Sequence, residues 1–239
     1  MAHVLGPATI SPDLAAQLFP PGVVAAELRE PGDPALLLPE ESQFLGRAVP
    51  KRVQEFAAGR LCARRALLEF GIVGFAVKVG PGRQPLWPEG WVGTITHTAG
   101  YCAAAVAARS SVRGLGMDSE TLGDVHAELW PSICSETETD WLRSLAPALK
   151  AAAATMIFSA KEAFYKCQYP VTGEPLGFHD VQVDAPGWDG SPGAPDLRYS
   201  EVLIRPTRRI GYARHVDFPM RGHIRWERTL LTAAVSVPA

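Results

Sequence analysis

No window of this 239-residue sequence approaches the roughly 18 consecutive apolar residues of a membrane span, although 47% of its residues are hydrophobic. The apolar run at 103–108 is far too short. Residues 1–10 lack both a basic n-region and an apolar h-region, so no secretory leader is expected. Only four cysteines occur (Cys62, Cys102, Cys134 and Cys167), with no CxxC pair and no histidine at metal spacing. That excludes a disulfide framework and a zinc site, and buried thiols in a cytoplasmic protein are the expectation. Charge of either sign is scarce: charged residues make up 20% and the formal net charge is −2. The chain therefore has no global pull towards nucleic acid or membrane, and an anion site must be a local cluster of Arg, Lys and His. A Gly-x-Ser-x-Gly elbow, a Walker-type Gly-Lys-Ser/Thr and a His-Glu-x-x-His motif are all missing. The six tryptophans are scattered as core or loop anchors, not gathered into a base-stacking platform.

What is present centres on two segments. Gly116-Met117-Asp118-Ser119-Glu120 reads as a strand, in which positions two apart share a face, so Asp118 and Glu120 aim two carboxylates at one point. Phe158-Ser159-Ala160-Lys161-Glu162-Ala163-Phe164-Tyr165-Lys166 reads as a helix that places Glu162 and Lys166 one turn apart on a shared face. An Asp-x-Glu pair is common on surface strands, and Glu162 with Lys166 also suits an ordinary helix salt bridge. The small apolar run before Asp118 changes the balance, because two carboxylates at the end of an interior strand need a compensating cation. Three hard oxygen ligands beside a lysine suit a magnesium ion holding a diphosphate. Phosphoryl chemistry is the leading reading.

A helix is expected over residues 50–70, opened by Pro50 and stopped by Gly71. Strands are expected at 75–79, 92–96, 101–107 and 112–118, with Gly114 and Gly116 marking close backbone approach. A capping box at Ser135 and Glu138 opens the helical part of the second half. The helix bearing Glu162 is expected over about 149–168, ending before Pro170. Further strands are expected at 178–183, 197–204, 212–216 and 230–237, with a loop at 185–195. The order of helix and strands occurs once before Asp118 and once after it, which predicts an α+β fold of two similar lobes with the site at their junction. The boundary falls between an N-terminal lobe, 1–111, and a C-terminal lobe, 112–239.

Candidate anion binders come from the first lobe. Arg52, Arg60 and Arg64 fall on one arc of the first long helix, where a solvated charge stripe is the plainer alternative. His97 sits where an apolar strand meets a small-residue turn, between Thr96 and Thr98 and near Gly100. A capped structural histidine is the competing reading. Arg83, before Pro85 and Trp87, suits either an anion contact or simple exposure.

Taken in order, Pro50-Lys51-Arg52, Ala58-Gly59-Arg60-Leu61-Cys62-Ala63-Arg64, Pro85-Leu86-Trp87-Pro88, Gly93-Thr94-Ile95-Thr96-His97 and the two acidic segments resemble the Sfp-type 4′-phosphopantetheinyl transferases, in the actinobacterial and enterobactin-type subgroup. The likeness covers residues 50–170. It implies a monomer of two pseudo-symmetric α+β lobes that moves the phosphopantetheine arm of coenzyme A to a serine of an acyl or peptidyl carrier protein, releasing adenosine 3′,5′-bisphosphate. It implies magnesium on Asp118, Glu120 and Glu162, with Glu162 also as general base. Lys166 is implied on the attacked phosphate, and Arg52, Arg60 and His97 on the phosphates of coenzyme A. Thr96 stands in place of the usual serine, and Lys78 and Arg83 compete for one basic position. Lys161 joins the candidate coenzyme contacts. The alternative is a magnesium-dependent phosphohydrolase acting on a nucleotide or on coenzyme A, needing no carrier protein.

Overall fold

In a computed structural model of the chain, residues 14–186, 188, 198–214, 216–227 and 229–239 are described. The expected loop at 185–195, the first residue of the strand expected at 197 and the leader reading at 1–10 lie largely outside them. In chain order the elements are β1 (Val24–Leu28), α1 (Pro39–Ser42), α2 (Pro50–Leu68), β2 (Lys78–Val79), β3 (Pro85–Leu86), β4 (Trp91–Thr98), β5 (Tyr101–Ala108) and β6 (Val112–Thr121). They continue with α3 (Trp130–Ile133), α4 (Glu136–Ser144), α5 (Pro147–Thr172), β7 (Val181–Asp184), β8 (Arg198–Pro206), β9 (Met220–Glu227) and β10 (Leu230–Pro238). The fold is α+β, with antiparallel sheets and two long helices. Among the described residues, no helix is long and apolar enough to cross a membrane.

Two sheets organise the chain. The first has the order β1-β5-β4 and the second β6-β10-β9-β8-β7. β5 explains why its sequence is a continuous run of small apolar residues. Tyr101, Ala103, Ala105 and Ala107 face one buried cluster with Val112, Leu115 and Met117 of β6. Cys102, Ala104 and Val106 face another with Ala58, Cys62, Ala63, Ala66 and Leu67 of α2. A strand buried on both faces has no polar side to alternate with. The second sheet packs against α5, whose Ala153, Met156, Ile157, Ala160, Ala163 and Phe164 share a cluster with Val202, Ile204, Ile224, Leu231 and Val235.

The sheets meet edge to edge. Thr94 Oγ1 accepts from Met117 N at 3.1 Å, and Thr96 Oγ1 accepts from Ser119 N at 2.8 Å. Both partner numbers rise together, so β4 and β6 run parallel, and two hydroxyls satisfy the outer edge of β6 in place of a backbone ladder. Gly116 lets α5 close onto this seam: a Cβ there would lie 1.7 Å from Ala163 O. The expectation of close backbone approach at Gly114 and Gly116 holds for that reason.

Several expectations need correction. The helix bearing Glu162 does not stop before Pro170; it continues to Thr172 and ends at Gly173, whose left-handed φ of 66° lets its N–H reach Tyr169 O at 2.8 Å. In the last turn, proline removes only one helical hydrogen bond, and the glycine sets the stop. The strand expected at 212–216 is a 3₁₀ turn, Gly211–Arg214, because Tyr212 is a core anchor packed edge-on to Phe164 at 5.9 Å; residue 215 lies outside the described ones. The strand at 75–79 is only Lys78–Val79. The strand expected at 178–183 starts only at Val181, after a 3₁₀ turn, Phe178–Asp180, and the strands β1, β3 and β9 were not expected at all.

Candidate active site

The C-terminal ends of β4 and β6 point the same way, so His97 and Asp118 arrive at one place. Asp118 is buried, 4% exposed, and its Oδ1 accepts from Lys166 Nζ at 2.7 Å. Its main-chain oxygen accepts from Ser159 Oγ at 3.0 Å, which ties β6 to α5 at the level of the carboxylates. Among the described residues, Asp118 Oδ2 is buried and has no hydrogen-bond partner. Burial and then Asp118 push the Glu120 carboxyl up to about 7, with Lys166 opposing. Burial likewise raises Glu162, with Lys166 opposing and Asp118 adding to the rise. For Lys166, burial works against the charge, but the Asp118 carboxylate and its hydrogen bond, then Glu162 and Glu120, outweigh it and raise the ammonium above an ordinary lysine. One cation thus serves three carboxylates, and two of them hold protons more tightly than usual.

A group short of positive charge with a free buried oxygen is what a divalent cation would complete. Among the described residues, however, no three His, Cys, Asp or Glu side chains already converge on one metal position. The carboxylates interact across the site, and Lys166 is the cation that touches Asp118.

The other rim belongs to α2 and β4. Arg52 Nη1 lies 2.7 Å from His97 Nε2 and 3.4 Å from Glu55 Oε2, while His97 Nδ1 is 3.9 Å from Glu55 Oε2. Burial first, and then Arg52, lower the His97 pKa, so the neutral imidazole accepts from the guanidinium at neutral pH. Lys166 and Asp118 also act on His97 electrostatically, the first lowering and the second raising its pKa. A cavity of about 150 Å³ beside His97 is lined by Lys51, Gln54, Glu55 and Gly100 among others. Another of about 180 Å³ is lined by Lys161, Glu162, Tyr165 and Phe178 among others. Two larger cavities, of about 650 and 660 Å³, lie elsewhere, and none of the carboxylates lines either.

The structure therefore brings together Arg52, His97, Asp118, Glu120, Glu162 and Lys166, and leaves the other expected contacts outside that cluster. Thr96 is 1% exposed, and its oxygen is engaged by Ser119 N, so it acts at the seam. The ammonium of Lys161 is committed elsewhere: its three protons go to Glu138, Ile133 O and Phe178 O. Arg60 is buried, donates from Nε to Val77 O at 2.8 Å and lies over the Phe56 ring. Burial lowers its pKa to about 10, which leaves it charged at neutral pH. Arg64 leaves the expected anion arc altogether, pairing with the buried Glu41. Lys78 and Arg83 sit exposed on the β2–β3 hairpin, and among the described residues neither pairs with any group around His97. Sequence reasoning missed Glu55 and Ser159. Glu55 lies one turn from Arg52 on α2, and that spacing was a usable signal.

Comparison with known proteins identifies the family. Residues 40–107 match the 4′-phosphopantetheinyl transferase N-terminal domain, and residues 114–197 match the 4′-phosphopantetheinyl transferase superfamily. The chain is 34% identical over 189 residues to 4′-phosphopantetheinyl transferase Npt of Nocardia iowensis, covering 79% of this chain and 84% of that protein. It is 37% identical over 198 residues to 4′-phosphopantetheinyl transferase PptT of Mycobacterium tuberculosis, covering 80% and 81%. To enterobactin synthase component D of Salmonella typhi it is 36% identical over 158 residues, covering 65% and 60%.

Proposed function

The chain belongs to the 4′-phosphopantetheinyl transferase superfamily, and from that premise we propose how its residues transfer the phosphopantetheine arm of coenzyme A to a serine of an acyl or peptidyl carrier protein. The observation that carries the reading is the Lys166–Asp118 contact of 2.7 Å, set between two raised glutamates and facing Arg52 and His97.

The N-terminal lobe, up to residue 111, supplies the nucleotide end of the site. Arg52 and His97 lie on its rim, and a phosphate entering between them would favour the imidazolium and pull the guanidinium off the ring nitrogen. Arg60 lends a charge buried nearby. The C-terminal lobe, from residue 112, supplies the reacting end. Asp118, Glu120 and Glu162 are the donors that would hold magnesium, with the free Oδ2 of Asp118 as the first of them. A magnesium ion bound there supplies charge neutralisation on the diphosphate and its leaving group.

The remaining work falls to the chain itself. Lys166, kept charged by its neighbours, stabilises the oxygens of the phosphorus under attack. The serine oxygen forms a bond to the phosphorus that bears the pantetheine arm, and the bridging oxygen leaves with adenosine 3′,5′-bisphosphate. Glu162 accepts the hydroxyl proton, a role that suits a carboxyl with a raised pKa. Because one chain carries both rims, no second copy is needed, which supports a monomer. The four cysteines are free and buried, which supports a reducing, cytoplasmic setting.

The test is mass spectrometry of an apo carrier protein incubated with the enzyme, coenzyme A and magnesium. The expected result is a gain of one phosphopantetheine arm, abolished by chelation. Cleavage of coenzyme A with no gain on the carrier would make water the acceptor and the protein a phosphohydrolase.

A further inference from the structure

Lys161 stands next to Glu162 on α5, yet its ammonium is bonded inside the core. Each of its protons has an acceptor: Glu138 Oε2 at 2.7 Å, Ile133 O at 2.8 Å and Phe178 O at 2.9 Å. Glu138 is equally committed. Its Oε2 also accepts from Ser135 N at 2.6 Å, and its Oε1 accepts from Val183 N at 2.7 Å. Both side chains are 1% exposed. One buried ion pair thus joins α5 to the end of α3, the start of α4, the turn before β7 and β7 itself.

A buried ion pair is poor evidence for stability, because desolvating two charges offsets most of their attraction, and apolar residues of similar volume often do as well. Five hydrogen bonds in fixed directions supply something an apolar pair cannot, which is placement. The element placed here is informative. The cavity of about 180 Å³ has Lys161, Glu162 and Tyr165 of α5 on one side and Leu176, Gly177 and Phe178 on the other. Lys161 holds Phe178 by its main-chain oxygen, and the Phe178 ring packs on Phe158 of α5 with centroids 5.4 Å apart. The far wall of the cavity is therefore tethered to the residue adjoining Glu162.

We propose that the Lys161–Glu138 pair is a positioning device for the transfer reaction, holding the 176–178 wall at a set distance from Glu162 without touching coenzyme A. This rests on the transferase reading above, with Glu162 as proton acceptor. Loss of the pair lets the wall drift and leaves Glu162 facing a cavity of the wrong width. A misplacement of about 1 Å near reacting groups lowers a rate by as much as roughly a hundredfold.

The experiment compares wild-type protein with the double variant Lys161→Met/Glu138→Leu and with Glu138→Gln. Unfolding temperature, coenzyme A affinity by calorimetry, and kcat and KM for an apo carrier protein are measured on each. The double variant is expected to fold and to bind coenzyme A like wild type, with kcat lowered about tenfold or more. A folded double variant with wild-type kcat would reduce the pair to a structural role and overturn the proposal. Weakened coenzyme A binding with kcat intact would overturn it in favour of direct contact by Lys161. If the double variant does not fold, Glu138→Gln decides, because it keeps the volume and touches no substrate: lowered kcat at unchanged coenzyme A affinity supports positioning, and wild-type kcat overturns it. Wild-type protein that modifies no carrier would overturn the transferase reading itself, and the pair's role with it.

Discussion

Thr96 Oγ1 accepts a hydrogen bond from Ser119 N at 2.8 Å, so the strand that ends in His97 is held in register with the strand that carries Asp118 and Glu120. A side chain does here what a backbone ladder does within a sheet. The two rims of the site owe their alignment to it.

Replacing Thr96 with valine should leave the buried Ser119 N–H without an acceptor at nearly unchanged volume. The expected cost is about 1–3 kcal/mol, read by chemical denaturation. Thr96→Ser should recover most of it. A valine variant as stable as wild type would mean that the seam does not depend on this bond.

Gly116→Ala is expected to be far more damaging than its size suggests. The new Cβ would sit 1.7 Å from Ala163 O and 2.7 Å from Cys167 N, both backbone atoms of α5. The helix must move, so the cost should reach the upper end of the roughly 1–3 kcal/mol typical of overpacking, or exceed it. Reduced soluble yield and a lower midpoint in urea report this; an unchanged midpoint rules out the close approach.

Asp118→Ala or Glu162→Ala should lower turnover by on the order of a hundredfold or more in a carrier-modification assay. Both variants should stay folded by circular dichroism: Glu162→Ala removes one carboxylate from a self-repelling group, and after Asp118→Ala the Lys166 ammonium still has Glu162 and Glu120 as counter-charges. Near wild-type turnover in either removes that residue from the mechanism.

Glu120 gives a pH dependence with a definite sign. Its pKa rises from 4.5 to about 7 on folding, so the protonated form favours the folded state. That contribution is complete below 4.5 and is lost as pH rises through 7. With metal chelated, wild-type protein should therefore lose stability relative to Glu120→Gln between those limits. The side chain is only half-buried, and solvent screening reduces the effect to roughly 1 kcal/mol, or about 2–4 °C in Tm. Magnesium at pH 7 should recover the difference. Parallel Tm profiles for the two chelated proteins would show that Glu120 carries no such strain.

Elements with one dominant local signal were readable. α2 starts at Pro50 and ends near Gly71, as its proline and glycine suggest, and Ser135 with Glu138 forms the expected capping box. β9 was readable in principle: Met220, Gly222, Ile224 and Trp226 alternate with Arg221, His223 and Arg225. Its charges obscured a period-two pattern. The 212–216 segment misled for the opposite reason, since a buried tyrosine in a short turn and one in a strand look alike over five residues.

The site divides in the same way. Asp118, Glu120, Glu162 and Lys166 were legible because two-residue spacing on a strand and four-residue spacing on a helix each define a face without help from the rest of the chain. Which way a polar side chain finds its partners across 23 or more residues has no such local rule. Glu138 carries a capping box and also the counter-charge of Lys161; Thr96 serves the seam; Arg64 goes to Glu41. The chemistry-bearing residues and their faces were thus determined by the sequence itself, through backbone periodicity. Their division into site, scaffold and seam was decided only by tertiary structure, because a buried charge or hydroxyl must be satisfied by whatever group the packing brings within reach.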